Sequence, residues 1–149
     1  MVTAYLTVEE AQDYYDSKLG TAAWDDATDE EKLKALKNAT MLINRLNFNG
    51  TKSVTTQANA FPRDGEVVVP QNILDATCEL ALVLLDGYDP NEEMNNIAAT
   101  ARGFSSARTN YTRDFAHNHI MAGIPSAEAW QLLLPYLQDP LTIRLTRSD

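Results

Sequence analysis

Pro70-Gln71-Asn72-Ile73-Leu74-Asp75-Ala76-Thr77-Cys78-Glu79-Leu80-Ala81-Leu82-Val83-Leu84-Leu85-Asp86-Gly87 is the stretch that decides the fold class. Proline suits the first turn of a helix, where an N–H would have no partner anyway. Glycine suits the stop. Between them Ile73, Ala76, Thr77, Leu80 and Leu84 fall on one face at helical spacing. Leu82, Val83 and Leu85 extend the apolar surface nearly all round. A helix of that kind belongs at the centre of a core, with other helices packed about it. Cys78 reads as a small buried member of that core. It is the single cysteine, which excludes an intrachain disulfide.

Two helices are signalled upstream. Thr7-Val8-Glu9-Glu10 has the form of a capping box, with a helix expected to about Leu19 and Gly20 as its stop. Trp24 is expected in a short connector. Thr28-Asp29-Glu30-Glu31 is a second capping box, and the helix after it places Leu33, Leu36, Ala39, Ile43 and Leu46 on one stripe. Residues 47–69 form a long connection punctuated by Asn49-Gly50 and Phe61-Pro62-Arg63-Asp64-Gly65. Loops of this length are often functional. Residues 65–69 carry three consecutive valines and are expected to hold a short strand.

Downstream, a short helix is expected over residues 91–99. Residues 103–116 are rich in Ser, Thr, Arg and aromatics and read as a strand or hairpin. Ser126 can cap a last helix carrying Trp130, Leu133 and Leu134. Pro135 must kink or end it, since an interior proline costs about 3 kcal/mol. Beyond Asp139-Pro140, Leu141, Ile143 and Leu145 alternate with Thr142, Arg144 and Thr146, the period of a strand. The expected fold is therefore mainly α: a small helical bundle with a short β-hairpin or strand element. Residues 1–138 form the domain and residues 139–149 an extended C-terminal tail.

Composition narrows the function. The chain has 149 residues, 44% hydrophobic and 22% charged, ordinary for one globular domain. No apolar run approaches the roughly 18 residues needed to cross a bilayer, so no membrane partner is expected. The N-terminal residues lack the basic and apolar regions of a signal peptide. The net charge of −9 is uneven: residues 1–100 carry 7 Lys/Arg against 17 Asp/Glu, and residues 101–149 carry 5 against 4. All five of those later basic residues are arginines, whose planar fork suits interfaces.

Signs of catalysis are weak. His117 and His119 are spaced as metal ligands can be, but no Cys or acidic cluster frames them beyond Asp114. Asp25, Asp26, Asp29, Glu30 and Glu31 resemble a divalent-metal cluster, yet acids around a helix start serve the dipole and the free amides. Ser105-Ser106 lacks a nucleophile-elbow frame, and no glycine loop matches a phosphate or dinucleotide pattern. The expectation is a non-enzyme without metal or cofactor that works by holding other proteins. Arg102, Arg108 and Arg113, interleaved with Phe104 and Tyr111, form the one basic-aromatic stripe that could stack on bases. Arg102, Arg108, Tyr111 and Arg113 are thus candidates for an interface or channel loop.

Several segments together resemble a family of tailed-phage neck proteins. They are Tyr5-Leu6-Thr7-Val8-Glu9-Glu10-Ala11, Trp24 ahead of Asp29-Glu30-Glu31-Lys32, and Ala39-Thr40 with Ile43 and Leu46. Ala60-Phe61-Pro62-Arg63 follows, then Pro70, Ile73, Ala76 and Glu79-Leu80-Ala81-Leu82 before Asp86-Gly87, and Ile124-Pro125-Ser126 with Trp130 and Leu134-Pro135. The resemblance covers nearly the whole chain, and the order and spacing of the segments carry it. Such sequences are often labelled DnaT-like single-stranded DNA-binding proteins, while by fold and context they resemble head-tail adaptors, or connectors. The resemblance implies a bacteriophage structural protein of the virion neck, assembled in the host bacterial cytoplasm. It would form a homo-oligomeric, dodecameric ring under the portal protein and join a tail (nozzle or tail-completion) protein. Double-stranded DNA would pass through its channel without specific binding during genome ejection. The DnaT-like label implies single-stranded DNA binding instead.

The tail is the sharper feature for the adaptor. A terminal alternating strand suits addition to a sheet edge on a partner. Leu141, Ile143 and Leu145 would enter pockets on portal while Arg144 and Arg147 pair with acidic rim groups. An acidic body also suits a channel past which DNA must slide.

Overall fold

The structure, a computed structural model, describes residues 2–87 and 122–138. Thr7 accepts a hydrogen bond from the Glu10 amide and starts α1 (Val8–Asp16). α2 (Ala22–Asp25) is a single turn. α3 (Asp29–Asn44) opens on a complete capping box between Thr28 and Glu31, and α4 (Gln71–Leu85) opens behind Pro70. Ser126 caps α5 (Ala127–Leu133) through the Ala129 amide, and a 3-10 turn (Leu134–Tyr136) follows. The chain is mainly helical, as expected from the apolar pattern.

α4 packs against α3 and α5 and also touches α1 and α2. Ile73, Ala76, Thr77, Cys78, Leu80 and Ala81 are buried along it. From α3 come Ala35, Leu36, Ala39, Thr40 and Ile43, and from the last helix Ala129 and Leu133. The hydroxyls of Thr40 and Thr77 satisfy themselves inside the core by donating to the Leu36 and Ile73 carbonyls, at 2.9 Å and 2.8 Å. Burying such a hydroxyl without a partner would cost roughly 1–3 kcal/mol.

Four expectations are corrected. α1 ends at Asp16, before Leu19, which is left 94% exposed. Trp24 lies inside α2 and not in a connector; it is fully buried, 4.3 Å from the Tyr15 ring, with its indole N–H donating to Gln12 at 2.8 Å. Leu33 is 47% exposed, because the buried stripe of α3 is centred on Ala35, Ala39 and Thr40. Alanine and threonine barely register in hydropathy, so periodicity locates the stripe but not its centre. Residues 65–69 form no strand: Val67 and Val68 are 90% and 73% exposed. Their β-branched side chains favour extended backbone, but no strand lies beside them among the described residues to complete a ladder.

Pro135 sits in the 3-10 turn and ends the α-helix, as its missing N–H requires. The expected helix over residues 91–99, the hairpin over 103–116 and the tail over 139–149 lie outside the described residues.

Candidate functional site

The long loop between α3 and α4 is built around Arg63. Its Nε donates to the Asn49 carbonyl at 2.8 Å, Nη1 to Ala60 at 3.0 Å, and Nη2 to Gly50 at 2.7 Å and Phe48 at 3.4 Å. Phe48 and Phe61 flank the guanidinium at 6.0 Å and 5.9 Å. Asp64 accepts from the Thr51 amide, and Phe48 pairs with Leu137 across an antiparallel bridge. Gly50 must be glycine, because its φ is +76° and a Cβ there would run into the Asp64 carboxylate. A cleft of about 310 Å³ opens here between Phe61, Arg63, Pro135 and Tyr136. Arg63 places four hydrogen bonds on backbone carbonyls, so its role is to organise the loop.

A second polar group joins three distant parts of the chain. Glu79, 4% exposed on α4, accepts from the Tyr14 hydroxyl at 2.7 Å and pairs with Lys18 at 2.9 Å. Lys18 also reaches Glu128 on α5 at 3.3 Å. The Glu79 carboxylate, and then Glu128, raise the Lys18 ammonium above its ordinary value. Glu128 is held below the usual carboxylate value by contact with Glu79 and then by Lys18. Burial first, and then Glu79, push the Tyr14 hydroxyl far up. Burial also pushes the Cys78 thiol up to about 12, which makes it a poor nucleophile.

The third feature is a groove of about 580 Å³ between residues 3–10 and the start of α3. Its wall is fixed: the Tyr5 amide donates to Thr40, the Tyr5 hydroxyl donates to Asn44 at 2.6 Å, and Asn59 donates to the Thr3 carbonyl. Burial raises the Tyr5 hydroxyl to about 12, so it stays a donor at any ordinary pH. Ala4, Val8 and Leu33 line the groove, and the exposed carboxylates of Glu9, Glu10 and Asp29 edge it.

The residues singled out from sequence, Arg102, Arg108, Tyr111 and Arg113 in the loop and Leu141, Ile143, Arg144, Leu145 and Arg147 in the tail, lie outside the described residues. His117, His119 and Ser105-Ser106 lie there too. Among the described residues no group of three or more His, Cys, Asp or Glu is placed to hold a metal, and no helix is long and apolar enough to cross a membrane. Sequence reading missed Glu79 and Arg63. Their signals were present: a carboxylate inside an apolar helix, and an arginine two residues after a phenylalanine in a loop.

Comparison with known families is specific on one point. The model of the family described as "Putative DnaT-like ssDNA binding protein" matches residues 2–147. That description names DNA binding and nothing of a virion, a neck or a portal, so the expectation of a dodecameric, portal-binding neck connector for genome ejection is corrected. Comparison with the curated proteins and with the solved structures found no match. The match spans almost the entire chain, and the chain belongs to the DnaT-like ssDNA binding protein family.

Proposed function

We propose that the chain binds single-stranded DNA, without catalysis, through its arginine-bearing second part. The family match over residues 2–147 carries this reading. The distribution of charge supports it. Residues 1–100 hold 17 acidic against 7 basic side chains, and such a body repels phosphate. Arg102, Arg108 and Arg113, interleaved with Phe104 and Tyr111, supply cations for the backbone and rings for the bases. The helical body then serves as the scaffold that presents this segment.

The test is anisotropy of a labelled oligonucleotide across a salt series. Each phosphate neutralised on a single strand contributes about 0.7 to the slope of log K against log salt. The Arg108→Ala, Arg113→Ala double variant is expected to lower that slope by about 1.4. Tyr111→Ala is expected to weaken binding by about 1–3 kcal/mol with the slope unchanged. No binding by the full chain at low salt removes the proposal.

A further inference from the structure

We infer that the outer face of α3, with the start of the loop behind it, is a second contact for the DNA and takes the strand's phosphates through Lys37, Arg45 and Lys52. This rests on the DNA-binding proposal and adds to it a surface on the helical body. The acidic excess of residues 1–100 is not spread evenly. All 17 of their acids lie in residues 1–31 and 64–100, together with a single cation, Lys18. Residues 32–63 hold the other six cations and no acid at all. A surface that serves only solubility mixes both signs. One sign gathered on one stretch attracts anions there while the rest of the body repels them.

The fold turns that stretch into a surface. The core side of α3 is made by Ala35, Leu36, Ala39, Thr40 and Ile43. Lys37 and Arg45 stand on the opposite side, in one row at steps of four residues with Met41 between them. Both are exposed, and neither has an ion pair among the described residues. Eight residues of helix set them about 12 Å apart. Phosphates follow one another at about 3.4 Å along a stacked strand, so a single strand meets both. Lys34 lies beside them, and its pair with Glu30 is exposed at both ends and so weakly held. The loop ties Lys52 to the end of this helix. The Lys52 ammonium donates to the Gln57 carbonyl at 3.3 Å, the Gln57 amide to the Asn59 carbonyl at 2.9 Å, and the Asn44 amide to the Asn59 side chain at 3.0 Å. The other two cations are engaged elsewhere: Lys32 lies over the Trp24 ring at 5.1 Å, and Arg63 organises the loop. The remaining side chains favour phosphate over protein. Asn38, Thr51, Thr55 and Thr56 are exposed, and hydroxyls and amides are the neutral groups that bond phosphate oxygens. Phe48, the one aromatic residue in 32–60, is buried, so this surface offers neither a ring to a base nor an aromatic anchor to a protein. It holds the backbone of the strand and leaves the bases to other groups.

The salt dependence of oligonucleotide anisotropy, measured on the full chain, tests this. The Lys37→Gln, Arg45→Gln, Lys52→Gln triple variant is expected to lower the slope of log K against log salt by about 2.1, three phosphates at about 0.7 each. A second triple variant, Ala22→Glu, Ala127→Glu, Gln131→Glu, changes net charge by the same amount at exposed positions of α2 and α5 and should keep the wild-type slope. An unchanged slope in the first variant overturns the inference and leaves the DNA-binding proposal standing. Equal losses in both variants also overturn it, since net charge alone would then set the slope. A slope that falls in the first variant but not in Arg108→Ala, Arg113→Ala supports the inference and moves the DNA contact from the second part of the chain to the body. No binding by the full chain at low salt removes both. The three replaced side chains are exposed, so the first variant should keep its far-UV circular dichroism. If it does not fold, acetylation of wild-type lysines with and without oligonucleotide, read by mass spectrometry, decides: protection of Lys37 and Lys52 but not of Lys32 supports the inference, and equal reactivity in both samples overturns it.

Discussion

Arg63 shows how one side chain can replace a strand. The loop it organises has few ladder bonds of its own, and its carbonyls at Phe48, Asn49, Gly50 and Ala60 need donors. A guanidinium offers five N–H groups in a rigid plane and tolerates aromatic faces on both sides. Lysine has the charge but neither the plane nor the reach to several carbonyls at once. Arg63→Lys is therefore expected to lower unfolding free energy by about 2 kcal/mol, the loss of two or so net hydrogen bonds, as read from urea midpoints. A change within a few tenths of a kcal/mol would show that water replaces the lost donors. From sequence, Arg63 was visible as part of a turn and of a family segment but not as the organiser of the loop, because its acceptors come from positions 48–50 as well as from its own neighbourhood.

At the scale of elements, the helices differ in what starts them and what holds them. Starts are local. Thr7, Thr28 and Ser126 each cap the helix that follows, within three residues of their own position. Attachment is not local, and α5 depends on it. Only seven residues long, α5 is held through Ala129 and Leu133 in the core and through Lys18 at its edge. The pKa shifts set the pH range of that attachment. Glu128 is depressed below 4.5, so its contribution is present above that value and is lost as pH falls through the lower folded value. Lys18 is raised above 10.5, so its contribution is intact below that value and lost as pH rises through the higher folded one. Stability should be flat between roughly pH 5 and pH 10 as far as this link is concerned. Glu128→Gln should flatten the acid limb, with a small effect because that side chain is 69% exposed. Thermal melts of the two proteins from pH 3 to pH 7 measure it; an acid limb of the same steepness in both would assign the loss to other carboxylates.

On the scale of the whole molecule, the residues leading up to Gln138 are tied into the core. Leu137 is buried, Asn49 and Asn47 take backbone hydrogen bonds with Tyr136 and Gln138, and Tyr136 packs edge-on against Phe61 at 5.7 Å. We therefore propose residues 1–138 as the folding unit and residues 139–149 as an appended segment. A chain ending at Gln138 is expected to unfold cooperatively, with a midpoint within a few degrees of the full chain, by circular dichroism. Ending it at Leu133 should abolish cooperative folding, because it removes Leu137 and the bridge to Phe48. A broad, sloping melt for the longer truncation product would place the tail inside the folding unit.

What the sequence determined by itself is the set of local decisions. The apolar run behind Pro70 made a central helix, the capping residues located the starts of α1, α3 and α5, Pro135 ended the last helix, and the segments from Tyr5 to Pro135 pointed to the DnaT-like label, though not to the neck role read beside it. Each depends on groups a few residues apart, whose hydrogen bonds and packing period are written in order along the chain. Tertiary structure decided the rest. It turned α3 so that Thr40 is buried and Leu33 is not, ordered a loop around Arg63 in place of a strand, and set Glu79 within reach of Lys18 and Glu128. Those choices join residues as far apart as 18 and 128. Their free energy comes from apolar burial, and from pairing that offsets the cost of taking polar groups out of water, between residues distant along the chain, which no local spacing records.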